Sequence, residues 1–435
     1  MNRFILSLSL CAMAVAPQAV AQISFSGHSH SVITETPAAS TGLDAVYVIY
    51  DAAGVTASYT SPSGNTGVTW MSYGSLGGGF AEEVEGLTRA GATTSLTLGS
   101  GDSGFIIEDG TDRYYFYVVD YAAHPYDVTA IAPSAEQDCG QVSLDVTGSA
   151  AAINYYTING RSVELDRGIT LSYATMMLDD DSKTYRVDQT DVNFAHLSAV
   201  IHAPAPLCDT EFVLEGDRFL AEWGMAETVV SVTTPAVAVE AYTSATQQSR
   251  DNANETGAGN EGLGGSAPAE VDFYAAVTDA AIFTEWQFST YPDFDDIQLR
   301  ISDPVTSYTF REQGTTYVRF VCANDAGTCE YTGTVYEVSI GQSTLLCPNA
   351  FSPGASEGVN DEWKVSYSSI VDFECHIFNR LGVKMTSFTD PSQGWDGRYN
   401  GKLVPAGVYY YVIKATGADG KKYNLSGDIN IVNYK

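Results

Sequence analysis

The chain has 435 residues, 44% apolar and 11% aromatic, enough for three or four domains with buried cores. Its formal net charge of −32 argues against nucleic acid or anionic lipid as a partner, and 27 tyrosines with 40 glycines favour strands and turns over helices. Of the 21 basic and 53 acidic residues, nine of each lie from Leu346 onward; the other 12 and 44 lie before it, so an acidic body is joined to a neutral tail.

In chain order, the first feature is a secretory signal over residues 1–21. Arg3 supplies the basic start, Phe4 to Val15 the apolar run, and Ala19-Val20-Ala21 the small residues before cleavage at Gln22. Leu10 stands before Cys11 where a lipoprotein needs a small residue. The apolar run is too short to anchor in a bilayer, and no later stretch predicts a transmembrane segment.

The body reads as stacked β-domains. Asp44 to Tyr50 and Tyr114 to Tyr121 are apolar, β-branched and aromatic, and predict an early and a late strand of a first domain, 22–130. A break at Ile131-Ala132-Pro133 precedes a second domain, 131–205, opening at Cys139 to Val146. Pro206-Leu207-Cys208 then echoes that opening, which suggests tandem modules and a third domain over 206–344. Within it, residues 247–268 are rich in Gly, Asn, Ser and Ala and predict an exposed, mobile loop. A Trp286 strand, a Ser307–Phe310 strand and a Thr316–Val321 strand resemble the polycystic-kidney-disease-type (PKD) branch of immunoglobulin-like domains, which implies a spacer or a binding face.

The tail, 345–435, predicts a small sandwich of its own. Pro348 and Pro353 bracket a segment that cannot be helical. Trp363 to Tyr367 and Phe373 to Phe378 alternate apolar and polar residues, as half-buried strands do. Asp396-Gly397 and Asn400-Gly401 are turn dipeptides, Gly407 to Thr416 fits a central strand, and Gly427 to Val432 closes the sheet. The series Pro348, Asn349, Phe351, Pro353, then Asn360, Asp361, then Asn379, Arg380, Gly382, then Trp395, Asp396, Gly397, then Gly407 resembles the gliding-motility-associated C-terminal domain, the type B sorting domain of the type IX secretion system. The resemblance implies that the tail is an export address for unrelated cargo. It implies the type IX machinery as partner and passage through the periplasm of a gram-negative bacterium to the cell surface or medium. Two positions depart from the family: Gly354 to Gly358 replaces an Asn-Gly-Asp-Gly loop, and Leu381 follows Asn379-Arg380 where an aromatic is common. Asn379-Arg380 and Trp395-Asp396-Gly397 have two readings, as turns that the machinery reads or as turn and core residues only.

Six cysteines follow the signal: Cys139, Cys208, Cys322, Cys329, Cys347 and Cys375. An even count in an exported chain points to disulfides, and spacing selects Cys322–Cys329 across a hairpin tip, Cys347–Cys375 within the tail and Cys139–Cys208 by remainder. Catalytic and metal patterns are weak. Gly101-Asp102-Ser103-Gly104 is similar to a serine-protease nucleophile segment, but only His28 and His30 precede it and Phe105 follows where glycine would help an oxyanion hole. His28-Ser29-His30 has the alternate spacing to chelate a metal from one strand face but lies just past the cleavage site, where chains fray; Asp179–Asp181 lacks the spaced oxygen ligands and glycine of a calcium loop, and Asp293–Asp296 is similar, though Asp293 and Asp295 alternate. Trp70 to Tyr73 offers rings to stack on a sugar or to fill a core. The sequence therefore predicts an all-β chain of tandem immunoglobulin-like sandwiches, non-enzymatic and without cofactor, exported for adhesion or envelope structure, with an extracellular glycan or protein as ligand. A carbohydrate- or calcium-binding module and a secreted hydrolase with an unfamiliar site are the alternatives.

Overall fold

The computed structural model describes residues 23–135, 138–225, 228–257, 262–355 and 358–432; the signal segment and its cleavage position lie outside the described residues. The chain is all-β, as expected: strands follow one another throughout, and the described residues hold one α-helix, Arg218–Glu222. It divides into two compact units. The first comprises residues through Tyr173 with Gln189–Pro204 and Glu211–Thr234; the second comprises Ala174–Asp188, Ala205–Thr210 and residues from Pro235 onward.

In the first unit, a four-stranded sheet (Ile23–Ser26, Thr56–Thr60, Thr93–Thr97, Thr88–Ala90) faces a six-stranded one. The six-stranded sheet runs Ile33–Glu35, Ala45–Ile49, Asp112–Asp120, Ser103–Asp109, Thr69–Tyr73, Glu82–Glu83. The run Ala45-Val46-Tyr47-Val48-Ile49 pairs parallel with Asp112–Asp120, and all five residues are buried. Such an unbroken apolar run is what a strand covered on both faces requires. Ala45, Tyr47 and Ile49 point into the sandwich core with Trp70 and Phe116, whereas Val46 and Val48 face a second cluster with Ile153, Tyr155, Leu165 and Phe219. Trp70 and Tyr73, the pair offered for sugar stacking, are 0% and 5% exposed and belong to these two cores.

A buried ion pair fastens the second cluster from behind. Arg167 and Asp217 have fully buried side chains, with Nε donating to Oδ2 at 2.7 Å. The remaining guanidinium donors reach the Ala151 carbonyl (2.9 Å), the His124 carbonyl (3.0 Å) and the Tyr121 hydroxyl (3.2 Å). Tyr121 in turn donates to Asp217, whose other oxygen caps the helix by accepting from Phe219 N and Leu220 N. Two buried charges are tolerated only when so fully bonded.

A further core of this unit gathers Val142, Leu144, Leu171, Ile201, Phe212 and Leu214, with Val230 and Val232 packed on it. Gln141–Thr147 lies between Ala130–Pro133 and Val200–Pro204 in one sheet, and Thr170, Leu171 and Ser172 stand opposite Glu215, Leu214 and Val213 in the other. Thr210–Gly216, read from the sequence as the opening of the third domain, gives its alternating Phe212 and Leu214 to this further core.

The second unit holds two more cores. In the third sandwich, Trp286 is fully buried between Phe320 (5.1 Å) and Phe273 (5.2 Å), its indole donating to the Pro304 carbonyl. The last core draws its buried residues from Leu345 to Ile431 alone, among them Trp363, Phe373, Cys375, Trp395 and Ile413. Its five-stranded sheet runs Ala350–Phe351, Lys422–Ile431, Gly407–Gly417, Ile370–Phe378, Lys384–Phe388, and a two-stranded sheet pairs Thr344–Leu346 with Ser366–Ser368.

The cysteines correct the pairings expected from spacing. Cys139 and Cys329 are disulfide-bonded, whereas Cys208, Cys322, Cys347 and Cys375 carry thiols. Register explains the first failure: Cys322 stands opposite Tyr331, Asn324 N donates to the Cys329 carbonyl, and the Asn324 side chain accepts from Thr328 N and Cys329 N. The hairpin tip is closed by that asparagine, two residues out of step with Cys322. Cys375 is fully buried, and burial pushes its thiol up to about 12, so it stays protonated at neutral pH as a small apolar filler. Cys208 also stands as a buried thiol, raised by burial, which removes the pairing reached by remainder.

Candidate functional site

The residues of the tail motif fall into two groups in the C-terminal sandwich. The first is a corner built on two tryptophans. Trp363 and Trp395 exchange both backbone hydrogen bonds (2.8 and 3.0 Å) as an antiparallel bridge. Trp363 donates its indole N–H to the Pro348 carbonyl at 2.6 Å, and Trp395 donates to the Arg398 carbonyl at 3.0 Å. Phe351 lies 5.6 Å from the Trp395 ring and Tyr409 5.1 Å from it. Gly397 sits at φ +73°, and a Cβ there would come within 2.9 Å of Pro353. Only glycine meets both conditions without strain. Asp396 accepts from Arg398 N and sets the turn.

Two loops lock this corner to the sheet. Asn349 offers its carbonyl to Asn430 N (2.9 Å) and to the Asn430 amide, which places Phe351 beside Ile431 in parallel register. Asn360, at φ +55°, accepts from Ser352 N through its carbonyl. The Asp361 carboxylate accepts from Gly354 N at 2.9 Å and Gly358 N at 2.6 Å. That carboxylate is occupied as a loop clip, the role the departing Gly354–Gly358 sequence leaves to it.

The second group forms a hairpin tip between Ile370–Phe378 and Lys384–Phe388. Asn379 Oδ1 accepts from Leu381 N and Val383 N, Gly382 takes φ +79°, and Arg380 points into solvent beside Leu381, which is 80% exposed. Register brings the two groups to the same end of the sheet. Phe378 stands opposite Tyr410, Gly407 opposite Ile431, and Ile431 beside Phe351. Of the motif residues, then, Trp395 and Phe351 are core, Asn379, Asp361 and Asp396 are turn clips, and Arg380 is an exposed cation at the hairpin tip.

The opposite end of the sheet is tied to the third sandwich by groups with no motif signal. Asp419 accepts from Ser343 Oγ (2.7 Å) and Ser343 N (3.3 Å), and Tyr423 donates to the Ser343 carbonyl (2.9 Å). Burial would raise the Asp419 carboxyl, but these donors and Lys421 N bring it below the usual carboxylate range. Gln313 N donates to the Ala418 carbonyl and Arg311 to the Val371 carbonyl. The loop read as exposed joins here too. Residues such as Gln248 and Asp251 are exposed, but the Glu255 side chain is fully buried; residues 258–261 lie outside the described residues.

The candidate catalytic and metal residues are not assembled into a site. Ser103 stands opposite Val118 in a strand; the nearby His124 bonds Asp102 (2.7 Å), whose other oxygen accepts from Asp120 N, so the pair braces a loop. His30 packs against Tyr50, ring centroids 4.5 Å apart and tilted by 48°. Asp179 accepts from Ser182 N and Asp181 N, and the Ser182 bonds hold its carboxyl below the usual range as a turn cap. Phe294, between Asp293 and Asp295, is buried under the Arg319 guanidinium at 4.1 Å. Among the described residues no group of three or more His, Cys, Asp or Glu is placed to hold a metal ion.

Comparison with known proteins falls on the same segments. Residues 345–431 match the family model of the CHU_C type IX secretion signal domain, the region whose motifs carried that resemblance. Residues 131–231 match the fibronectin type III domain model, and that span ends one residue short of Val232, which packs on the core of Leu144, Leu171 and Phe212. Among solved structures the chain is similar to a tetra-tandem repeat from the extending region of a large adhesion protein (13% identity, covering 88% of this chain and 97% of that one, TM-score 0.23). It is also similar to a Ca2+-stabilised adhesin with which an Antarctic bacterium binds ice (13%, 93% and 99%, TM-score 0.20) and to the chicken CNTN1 FN1–FN3 domains (11%, 70% and 98%, TM-score 0.23). At TM-scores this low these likenesses carry no argument about this chain. No curated protein matches it.

Proposed function

We propose that this protein is a non-enzymatic cargo of the type IX secretion system, delivered by its C-terminal sandwich through the periplasm and outer membrane of a gram-negative bacterium to the cell surface or medium. There the immunoglobulin-like modules serve adhesion or envelope structure. The observation that carries the reading is one domain, 345–431, with a core drawn from its own residues and the tail motif gathered at one end of its sheet, over the residues the sorting-family model matches.

A domain of this build suits an address. Its core is drawn from its own residues, and its charge is balanced while the cargo carries the whole negative excess. Arg380, exposed at the tip of a clipped hairpin, is among the motif groups offered to the export machinery.

Deleting Cys347 to Lys435 tests the reading. The truncated protein is expected in the periplasmic fraction, with the full chain on the surface or in the medium. Unchanged surface delivery of the truncated chain would remove the sorting role.

A further inference from the structure

We propose that residues 250–256 form an intramolecular strap, that its receptor is the edge of the strand Ser366–Ser368, and that this docking holds the C-terminal sandwich to the body without need of the covalent connection. The inference does not depend on the export reading; it concerns how two domains of one chain adhere.

The receptor is an open strand edge. Tyr367 is paired with Leu345 on one side. On the other it takes Glu255 in a parallel bridge: Thr256 N donates to the Tyr367 carbonyl (2.7 Å) and Tyr367 N to the Asn254 carbonyl (3.1 Å). An unpaired edge recruits an extended segment by its backbone groups, and side chains then fix which segment fits. Asn254 supplies that selection. Its amide donates to two carbonyls of the sandwich, Val365 and Pro391, each at 2.8 Å.

Glu255 drives the strap into place. Its carboxylate, fully buried, accepts from Arg250 (2.8 Å), Ser266 Oγ (2.6 Å), Asn252 (2.9 Å) and the Tyr367 hydroxyl (3.3 Å). The phenol of Tyr367 is pushed well up, first by burial and then by the Glu255 charge. Ser266, held by Glu255, accepts from Ser369 N at 2.8 Å, and Ser369 Oγ accepts from Ala267 N at 3.2 Å. A buried carboxylate is stable only with such a complete set of donors, and one of them comes from the C-terminal sandwich. Undocking therefore takes the Tyr367 hydroxyl from this set of donors.

The test uses the mature full-length chain with a site-specific protease sequence inserted between Gly341 and Gln342, both exposed. After cutting, the two fragments are expected to co-elute on size exclusion at micromolar concentration. Asn254→Ala, which removes both amide bonds to the carbonyls, is expected to weaken the fragment affinity by about tenfold or more. Asn254→Asp, of the same size but turning an acceptor toward two carbonyls, is expected to release the tail. Each uncut variant is first shown to melt as the parent does. Separation of the unsubstituted fragments overturns the proposal. Retention of the tail by both variants as firmly as by the parent also overturns it, since the contacts of Gln313 with Ala418 and of Arg311 with Val371 would then suffice.

Discussion

Arg167 shows how far a single residue's environment can depart from what its neighbours in sequence announce. Asp166, Arg167 and Gly168 look like any charged turn, yet Arg167 is wholly buried and bonded to Asp217 fifty residues later. Removing one partner of such a pair leaves the other charge buried and uncompensated. Arg167→Met is expected to destabilise the first unit by about 3–5 kcal/mol, measured as the shift in its urea midpoint. The double variant Arg167→Met/Asp217→Asn should recover part of that loss, because asparagine keeps the helix cap and no lone charge remains. A single-variant loss of under about 1 kcal/mol would mean that water reaches the site.

At the scale of elements, the strands were legible because their signals are local. The alternation of Trp363, Val365 and Tyr367 with Lys364 and Ser366 matches their burial one for one, and Phe373, Cys375 and Ile377 do the same in the next strand. Pairing was not legible where a third residue intervened. Asn324 closes the hairpin that spacing assigned to Cys322 and Cys329, and nothing in a count of cysteines announces an asparagine's reach. The loop of 247–268 escaped for a related reason. Composition separates apolar from polar, and a segment that docks by hydrogen bonds has the composition of one that stays in water. The corner turn can be tested on its own terms. Gly397→Ala combines a left-handed backbone with a Cβ 2.9 Å from Pro353, and is expected to cost the C-terminal sandwich about 1–3 kcal/mol. Hydrogen exchange in peptides covering Gly407–Gly417 reads that loss, and unchanged protection there would show that the Trp363–Trp395 corner yields without strain.

For the whole molecule, modularity was legible at the C-terminal end and less so before it. The tail announces itself by a shift in charge and by motifs, and its fully buried core is drawn from Leu345 to Ile431, with Val371 and Ala418 packed outward on the third sandwich. In the first unit the sequence shows strands and breaks but no way to learn which faces are covered. The Ile131-Ala132-Pro133 break reads as a boundary between domains, while the residues on either side of it meet in one cluster, Val46 and Tyr117 from before, Ile153 and Leu165 from after. The six-stranded sheet of the amino-terminal sandwich is thus a party wall. Anyone who divides the gene at residue 130 demolishes the room on one side and leaves Val46, Val48, Tyr117 and Val119 facing the street. Such a fragment should bind a hydrophobic dye and self-associate, whereas one continued to residue 234 should do neither; a monomeric, dye-silent short fragment would mean the wall was never shared.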